Sequence, residues 1–392
     1  MTSRLQVAQR ANVPPFHVMD LLAAAQNRQA SKGDLLNLAP GQPSTGAPRP
    51  VREEAKRLLD QELLGYTVAP GIPSLREAIA KHHRSSYGIE VTAEDVVVTT
   101  GSSGGFLLAF LTAFEVGDRV VMARPGYPCY RNVLTALGCE VVEIDCGPET
   151  RFQPTVEQLD AIEGPIAGLM VASPANPTGT MLLPTELAAI ASWCESRGVR
   201  LISDEIYHGI EYGVPTSSTT IGRSSAWQTS REAIVFGSFS KYFSMTGWRI
   251  GWMLVPESLR RPVDVLTGNF TICPPALSQY AALAAFTPES YAELDSHVAR
   301  YAKNRTVLLD GLPGLGIDKL APADGAFYVY ADIGHLTDDS YGWCLRLLDE
   351  TGVAMAPGID FDTQRGNEFV RMSFAGSTDE IGSALERLQR WL

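Results

Sequence analysis

The chain has 392 residues, of which 45% are hydrophobic and 19% are charged, so it can bury a large core and is too long for one average domain. Its 32 basic and 44 acidic residues give a formal charge of -12, which repels phosphate backbones, so no nucleic-acid partner is expected. No run approaches the roughly twenty apolar residues that cross a bilayer, and the start lacks a signal-peptide apolar run, so we expect a cytoplasmic protein without a membrane partner.

Short β-branched runs alternate with helix-like segments in the middle of the chain. The predicted strands are residues 96–99, 119–122, 140–144, 167–172, 200–203 and 233–236. This alternation predicts an α/β fold with a mostly parallel sheet covered by helices on both faces. Polar or glycine-rich turns follow several of the strands, at residues 101–105, 124–127, 173–176 and 204–205. In open α/β sheets the ligand crevice lies at the carboxyl ends of the strands, so we expect the site there.

The pattern changes after the Pro274-Pro275 pair. A long helical stretch is predicted over residues 276–309, strands over 326–330 and 369–374, and a final helix over 379–392. The proline-rich first forty-odd residues are predicted to form an arm that joins this smaller region. The predicted organisation is therefore an arm and part of a small domain (1–45), a large domain (46–280) and a C-terminal small domain (281–392).

The cysteines and histidines offer no metal site. Six cysteines contain no CxxC pair and no metal-ligand spacing with histidine, which predicts free thiols and no bound metal. His82 and His83 follow a helical pattern, and adjacent helical positions diverge, so we predict that they lie on a solvated helix face.

Lys241 stands between small hydroxyl residues and aromatic residues, with Arg249 eight residues later and Asp204 on an earlier predicted strand. A lysine amine forms a Schiff base with an aldehyde, which is how pyridoxal phosphate is held between turnovers. The surroundings of this lysine therefore indicate a pyridoxal-phosphate enzyme.

Several motifs in order along nearly the whole chain resemble the fold-type I pyridoxal-phosphate enzymes and, within them, the class I aminotransferases. Besides the lysine segment, they include NLAPGQP at 37–43, residues 66–67 and 71–76, and RMSFA at 371–375. The resemblance implies a large domain with a mostly parallel seven-stranded sheet between helices, a smaller α+β domain formed by both termini, and pyridoxal 5′-phosphate as the cofactor.

The resemblance implies catalytic roles at the centre of the site. Lys241 resembles the Schiff-base lysine that moves the proton of the substrate α-carbon, which requires a lowered pKa. Asp204 matches the acid that pairs with the cofactor's pyridine nitrogen. Tyr207 and Asn176 match the hydrogen-bond partners of the ring oxygen, and Tyr127 resembles the aromatic residue that stacks on the ring.

The resemblance also implies a phosphate cup and a substrate site. The cup consists of Ser102, Ser103, Ser238, Ser240 and Arg249, at a helix start where backbone N–H groups face an anion. Arg371 matches the arginine that grips the substrate α-carboxylate with two hydrogen bonds, and Gly41 and Asn176 are assigned to the same substrate site. Tyr66 resembles the tyrosine that reaches the neighbouring subunit's phosphate, which implies a homodimer.

The predicted reaction is a ping-pong transamination between an amino acid and a 2-oxo acid. Residues 267–273 carry no Arg or Lys, and Ser103 stands where one subgroup has lysine. A second substrate carboxylate would be costly to desolvate without a cation, so neutral amino acids such as alanine and valine are expected.

Alternative activities stay open at this point. Arg28 of the arm could serve a dicarboxylic substrate, as in an aspartate aminotransferase. A C–S β-lyase or an aminocyclopropane-type synthase would share the same central residues, since fold does not settle reaction. A DNA-binding regulator is disfavoured because no basic helix-turn-helix pattern precedes residue 40.

Overall fold

The computed structural model of the protein describes residues 6–212 and 224–392. The helices are α1 (His17–Lys32), α2 (Arg49–Gln61), α3 (Pro73–Tyr87), α4 (Gly101–Ala113), α5 (Pro128–Leu137), α6 (Val156–Asp160), α7 (Pro184–Arg197), α8 (Ala226–Thr229), α9 (Glu257–Phe270), α10 (Ala276–Ala282), α11 (Pro288–Gly311), α12 (Ser340–Thr351) and α13 (Thr378–Trp391). The strands are β1 (Leu36–Asn37), β2 (Val96–Thr99), β3 (Arg119–Arg124), β4 (Glu140–Asp145), β5 (Gly168–Ala172), β6 (Arg200–Asp204), β7 (Ile234–Ser238), β8 (Gly251–Leu254), β9 (Tyr328–Asp332), β10 (Val353–Ala354), β11 (Ala356–Pro357) and β12 (Phe369–Ser373).

Seven strands form the large sheet, in the order β2-β8-β7-β6-β5-β3-β4. All neighbours in it are parallel except β8, which runs antiparallel to β2 and β7. Strands β2, β7 and β8 are buried along their whole length, as expected where helices cover both faces of a sheet. The predicted α/β fold with a mostly parallel seven-stranded sheet is confirmed.

Strand β8 was not among the strands predicted from the β-branched runs. Its sequence, GWML, contains no β-branched residue and begins with glycine, so strand propensity gives it little signal. Gly251 is required by packing, because a Cβ there would lie 3.1 Å from the backbone nitrogen of Ser102 and from the Gly237 carbonyl oxygen. Pairing with β2 on one side and β7 on the other, rather than propensity, places this segment in the sheet.

Segments from both ends of the chain meet beside the large sheet. Strand β1 pairs in parallel with β10, and β12 is the central strand of an antiparallel sheet between β11 and β9. The long helix predicted over 276–309 is divided into α10 and α11, because Pro288 has no N–H and begins a new helix with Thr287 as its cap. The domain boundaries at residues 45 and 280 stay a prediction.

His82 and His83 are buried, so the prediction of a solvated helix face is wrong. The Trp252 indole N–H donates to His83 Nε2 at 3.0 Å, and His82 Nδ1 lies 2.7 Å from the Tyr291 hydroxyl. Burial lowers the pKa of His83 well below its ordinary value, so the ring is a neutral core group. The six cysteines are free thiols, as predicted.

Within residues 6–212 and 224–392, no helix combines the length and apolarity that crossing a bilayer requires.

Candidate active site

A cavity of about 550 Å³ lies at the carboxyl ends of the large-sheet strands. Its walls come from the turns after β2, β3, β5, β6 and β7, and from β12 and the arm. Most of the predicted site residues line it: Gly41, Ser102, Ser103, Tyr127, Asn176, Asp204, Tyr207, Ser240, Lys241, Arg249 and Arg371. Two predicted residues, Ser238 and Tyr66, do not belong to this lining.

Lys241 lies in the cavity wall just after β7. Its Nζ donates a hydrogen bond to the Gly41 carbonyl at 2.6 Å, which links the sheet to the arm. Burial, reinforced by the positive charge of Arg371, lowers the pKa of Lys241 to about 8, although the Asp204 carboxylate opposes this shift. The amine therefore exchanges its proton close to neutral pH, as a general base requires.

Asp204 is the last residue of β6 and is only 2% exposed. Burial raises the pKa of Asp204 to about 6, while hydrogen bonds from the Tyr130 hydroxyl and the Ile206 N–H favour its ionised form. The carboxylate forms no ion pair with any residue in the described ranges. A buried carboxylate prepared in this way would bind a protonated ring nitrogen strongly.

Two tyrosine hydroxyls meet beside the lysine. The oxygens of Tyr207 and Tyr328 are 2.7 Å apart, and Lys241 Nζ lies 5.3 Å from the centre of the Tyr207 ring. Burial raises the pKa of both tyrosines, so both remain protonated at neutral pH. The Tyr328 hydroxyl also leaves no room for a side chain at position 41, since a Cβ on Gly41 would lie 2.5 Å from it.

Arg371 lies in the middle of β12 and is 2% exposed. Its Nη1 donates to Asn176 Oδ1 at 2.8 Å and its Nη2 to the Ala39 carbonyl at 2.6 Å. The guanidinium is held between two rings, with centres 4.4 Å away for Tyr328 and 4.8 Å away for Phe361. Its Nε has no hydrogen-bond partner among the described residues. Each Nη carries a second N–H beyond the one already donated, and a guanidinium with two such donors suits a carboxylate.

The glycine-rich segment after β2 is the first turn of α4 rather than a separate turn, because the helix already begins at Gly101. Ser102 and Ser103 therefore present first-turn N–H groups, which attract anions. Gly101 has a φ of +67°, and a Cβ there would collide with the Arg249 guanidinium. Ser238 does not line the cavity, but its hydroxyl accepts the N–H of Ser240, which does, at 3.0 Å.

Tyr66 lies away from the cavity and is 84% exposed. The neighbouring Thr67 N–H contacts Cys273 Sγ at 3.4 Å. This contact brings the Tyr66 segment next to the end of α9, where Phe270 and Ile272 are also exposed. These exposed apolar side chains, with Leu63 and Val68, are called the Tyr66 patch below.

Sequence reasoning missed three features of the site. Tyr130 and Tyr328 contact predicted residues across long sequence separations, which a single sequence does not reveal. An apolar roof, formed by Phe16, Val18, Met19 and Leu22 at the start of α1, covers the cavity. Its periodic apolar residues are visible in the sequence, but their contact with the cavity is not.

Arg28 does not contribute to the cavity. It forms an ion pair with Asp34 at 2.7 Å and donates to the Asp349 carbonyl. The arm therefore supplies apolar contacts to the site, and the hypothesis of an Arg28 that reaches a second substrate carboxylate is not supported by this geometry.

Known proteins resemble this chain in sequence. Residues 33–388 match the family model described as aminotransferase class I and II. The chain is 63% identical over its full length to the valine–pyruvate aminotransferase of Mycobacterium tuberculosis, covering 99% of it. It is 34% identical to the aspartate/prephenate aminotransferase of Thermus thermophilus, over 92% of this chain and 91% of that protein.

Two solved structures are similar to this chain over almost its whole length. An aminotransferase from Mycobacterium tuberculosis superposes with a TM-score of 0.96 at 62% identity, over 99% of both chains. The aspartate aminotransferase of Thermus thermophilus with maleate superposes with a TM-score of 0.92 at 32% identity, over 99% of this chain and 100% of that one.

Proposed function

The chain belongs to the class I and II aminotransferases, and we propose that it transfers the amino group of a neutral aliphatic amino acid, foremost valine, to pyruvate with pyridoxal 5′-phosphate as its cofactor. The observation that carries the substrate class is the apolar roof. It faces a cavity whose cations in the described ranges are Lys241, Arg249 and Arg371. Each of the three has a use at the cofactor or at the substrate α-carboxylate, so none is left for a second carboxylate.

The residues present fit pyridoxal phosphate. When bound, this cofactor supplies an aldehyde that takes up amino groups and a ring that accepts electrons from the substrate α-carbon. The first turn of α4 and Arg249 would hold its phosphate, since Gly101 leaves that space to the guanidinium. Asp204, buried and without a cationic partner in the described chain, would hold the ring nitrogen. Tyr127 lines the cavity where a ring would stack.

Arg371 and Lys241 have different roles in the reaction. Arg371 binds the α-carboxylate and fixes the α-carbon, while Lys241 Nζ takes up the α-proton and later returns a proton. A pKa of about 8 leaves part of the lysine neutral at neutral pH, as this step requires. Valine and pyruvate would thus be converted to 3-methyl-2-oxobutanoate and alanine, with one amino group transferred and no net redox change.

The substrate proposal is tested by mixing the cofactor-loaded enzyme with single amino acids and following the loss of the cofactor's visible absorbance. Valine and alanine should react rapidly and aspartate slowly, because a second carboxylate would meet the apolar roof. Aspartate reacting faster than valine would contradict the neutral-substrate proposal. Release of pyruvate and ammonia from a cysteine conjugate, without transamination of valine, would instead support a β-lyase.

We also propose that the chain forms a homodimer. The Tyr66 patch exposes Leu63, Tyr66, Val68, Phe270 and Ile272, and contiguous exposed apolar side chains mark interaction surfaces. In a symmetric pair the patch would be buried and Tyr66 would extend towards the other subunit's phosphate cup. Sedimentation analysis should give twice the chain mass of 42.4 kDa. A monomer at the concentrations used for assays would contradict this proposal.

A further inference from the structure

The helix that carries the apolar roof is fixed at its start by a residue from the far end of the chain. Both oxygens of the Asp360 carboxylate accept N–H groups of α1, from His17 and Val18, each at 2.8 Å. Phe16, at the N-cap position, provides no side-chain cap of its own. Asp360 is only 3% exposed. The first turn of α1 is therefore satisfied by one buried carboxylate that is remote in sequence.

The segment that holds Asp360 also positions Arg371. The Phe361 ring packs on the Arg371 guanidinium, and the Phe361 carbonyl accepts the Gly126 N–H at 2.9 Å. Asp362 then forms a buried ion pair with Arg124 at 3.2 Å. Residues 360–362 thus connect three parts of the site, namely the roof, the carboxylate-binding arginine and the turn that carries Tyr127.

Packing joins the same parts. Val18 and Phe361 belong to one small hydrophobic cluster with Tyr330 and Phe369, and Phe16 and Leu22 pack against it. The Phe16 ring contacts the Tyr127 ring at 6.4 Å between centres. The roof side chains thus share a cluster with the residue that packs on Arg371, and a shift at the start of α1 would move the roof relative to that arginine.

We propose that Asp360 is a specificity-determining positioning residue, which fixes the distance between the roof and Arg371 and so selects a branched aliphatic side chain over a shorter one. This inference rests on the proposed aminotransferase function with neutral substrates. A substrate held by its carboxylate at Arg371 would place its side chain against the roof. Valine fills that space and alanine does not, so a loosened roof costs valine more.

An ordinary helix cap would only stabilise the fold, and the chain offers a matched control for that role. Asp339 caps α12 by accepting the Gly342 N–H at 2.9 Å, and it does not line the cavity. Asp339→Ala removes an exposed cap of the same chemistry from α12, which packs against α1 and the 358–360 turn but carries none of the roof residues. A change in the valine-to-alanine ratio that both variants share would show that general loosening around α1 is enough, whereas a change confined to Asp360→Ala requires the Asp360 contact itself.

The experiment measures kcat/KM for valine and for alanine with 2-oxobutanoate as the acceptor of both, since alanine and pyruvate would give no net reaction, in wild type, Asp360→Ala, Asp360→Asn and Asp339→Ala. Asp360→Ala should lower kcat/KM for valine roughly tenfold more than for alanine, mainly through KM, as loss of a cap permits. Asp360→Asn keeps one acceptor and should fall between. Inhibition by 3-methylbutanoate against propanoate, which requires no turnover, should change in the same ratio.

The outcomes separate this inference from the proposed function. A wild-type enzyme that transaminates neither valine nor alanine would refute the function. A wild type that is active on both, with Asp360 variants that lose both substrates equally or behave like Asp339→Ala, would refute the role of Asp360 alone. If Asp360→Ala does not fold, the Asp360→Asn ratio decides the question.

Discussion

Burial moves the pKa values of Asp204 and Lys241 towards each other, to about 6 and about 8. Both shifts have the same cause, since a low-dielectric site disfavours either charge. At neutral pH most of the carboxylate is ionised and part of the amine is neutral. One carboxylate that can bind a cation and one amine that can accept a proton are thus available together.

Lys241→Ala should lower the transamination rate by roughly a thousandfold or more, because the positioned base is lost. It should also abolish the visible absorbance band of the Schiff base between Lys241 and the cofactor. Both are measured on purified protein with added pyridoxal phosphate. Lys81→Ala, at an exposed position of α3, should leave both unchanged. Normal absorbance and turnover in the Lys241 variant would refute its assignment.

Tyr130→Phe should weaken cofactor binding at mildly acidic pH. The Tyr130 hydroxyl donates to the Asp204 carboxylate and favours its ionised form, so its loss raises the pKa of Asp204 further. Protonated Asp204 cannot hold a protonated ring nitrogen, and affinity should therefore fall at a higher pH than in wild type. The dissociation constant of pyridoxal phosphate is measured from pH 5 to pH 8.

The control for this pH shift is Tyr330→Phe, which removes another buried hydroxyl that has no hydrogen-bond partner in the described chain. It should leave the pH dependence of cofactor affinity unchanged. Identical curves for Tyr130→Phe and wild type would show that the hydroxyl does not tune Asp204.

At the scale of single elements, the start of α4 shows how a helix and an arginine share one space. The helix begins at Gly101 with a positive φ, and the Arg249 guanidinium occupies the position of the missing side chain. The helix dipole and the guanidinium would therefore both attract an anion bound at the start of α4. Gly101 is therefore needed for the space that it leaves to Arg249, and not only for its positive φ.

Gly101→Ala should weaken cofactor affinity by roughly tenfold or more, since it displaces Arg249 and strains the backbone. Gly88→Ala is the matched control: Gly88 also has a φ of +68°, ends α3, and has open space where a Cβ would go. Both variants should lose similar backbone stability in thermal unfolding. Equal cofactor affinity in the two would contradict the shared-space interpretation.

Six of the seven large-sheet strands could be predicted from sequence because their β-branched runs are local signals. Strand β2 was predicted with its observed bounds, and β3 to β7 to within two residues at either end. The first turn of α4 was interpreted as a separate turn because glycines usually interrupt helices. The burial of His83 against Trp252 and the Asp360 contact with α1 depend on distant residues, so no local pattern indicates them.

At the scale of the whole molecule, the proposed dimer makes each site depend on both subunits. A hybrid of a Lys241→Ala subunit and a Tyr66→Phe subunit would contain one site with both Lys241 and Tyr66 intact. Mixing the two weakened variants under conditions that exchange subunits should restore about a quarter of wild-type activity, since about half of the dimers are hybrids with one intact site.

Activity in this mixing experiment is measured at limiting cofactor, where loss of the Tyr66 hydroxyl matters most. Lys241→Ala mixed with Lys241→Ala/Tyr66→Phe is the inactive control. A mixture no more active than the sum of its separate components would indicate that each subunit works alone.

The arm is tied to the far end of the chain: Leu36 pairs with Val353, and Arg371 Nη2 binds the Ala39 carbonyl across 332 positions. Ribosomes deliver these partners in order, so the emerging polypeptide must keep residues 36–39 unpaired while the large sheet is made. A chain that stops before residue 353 would contain Lys241 and all strands of the large sheet, but neither the β10 partner of Leu36 nor Arg371. The contacts that fix the arm therefore form last, after every strand of the large sheet has been synthesised.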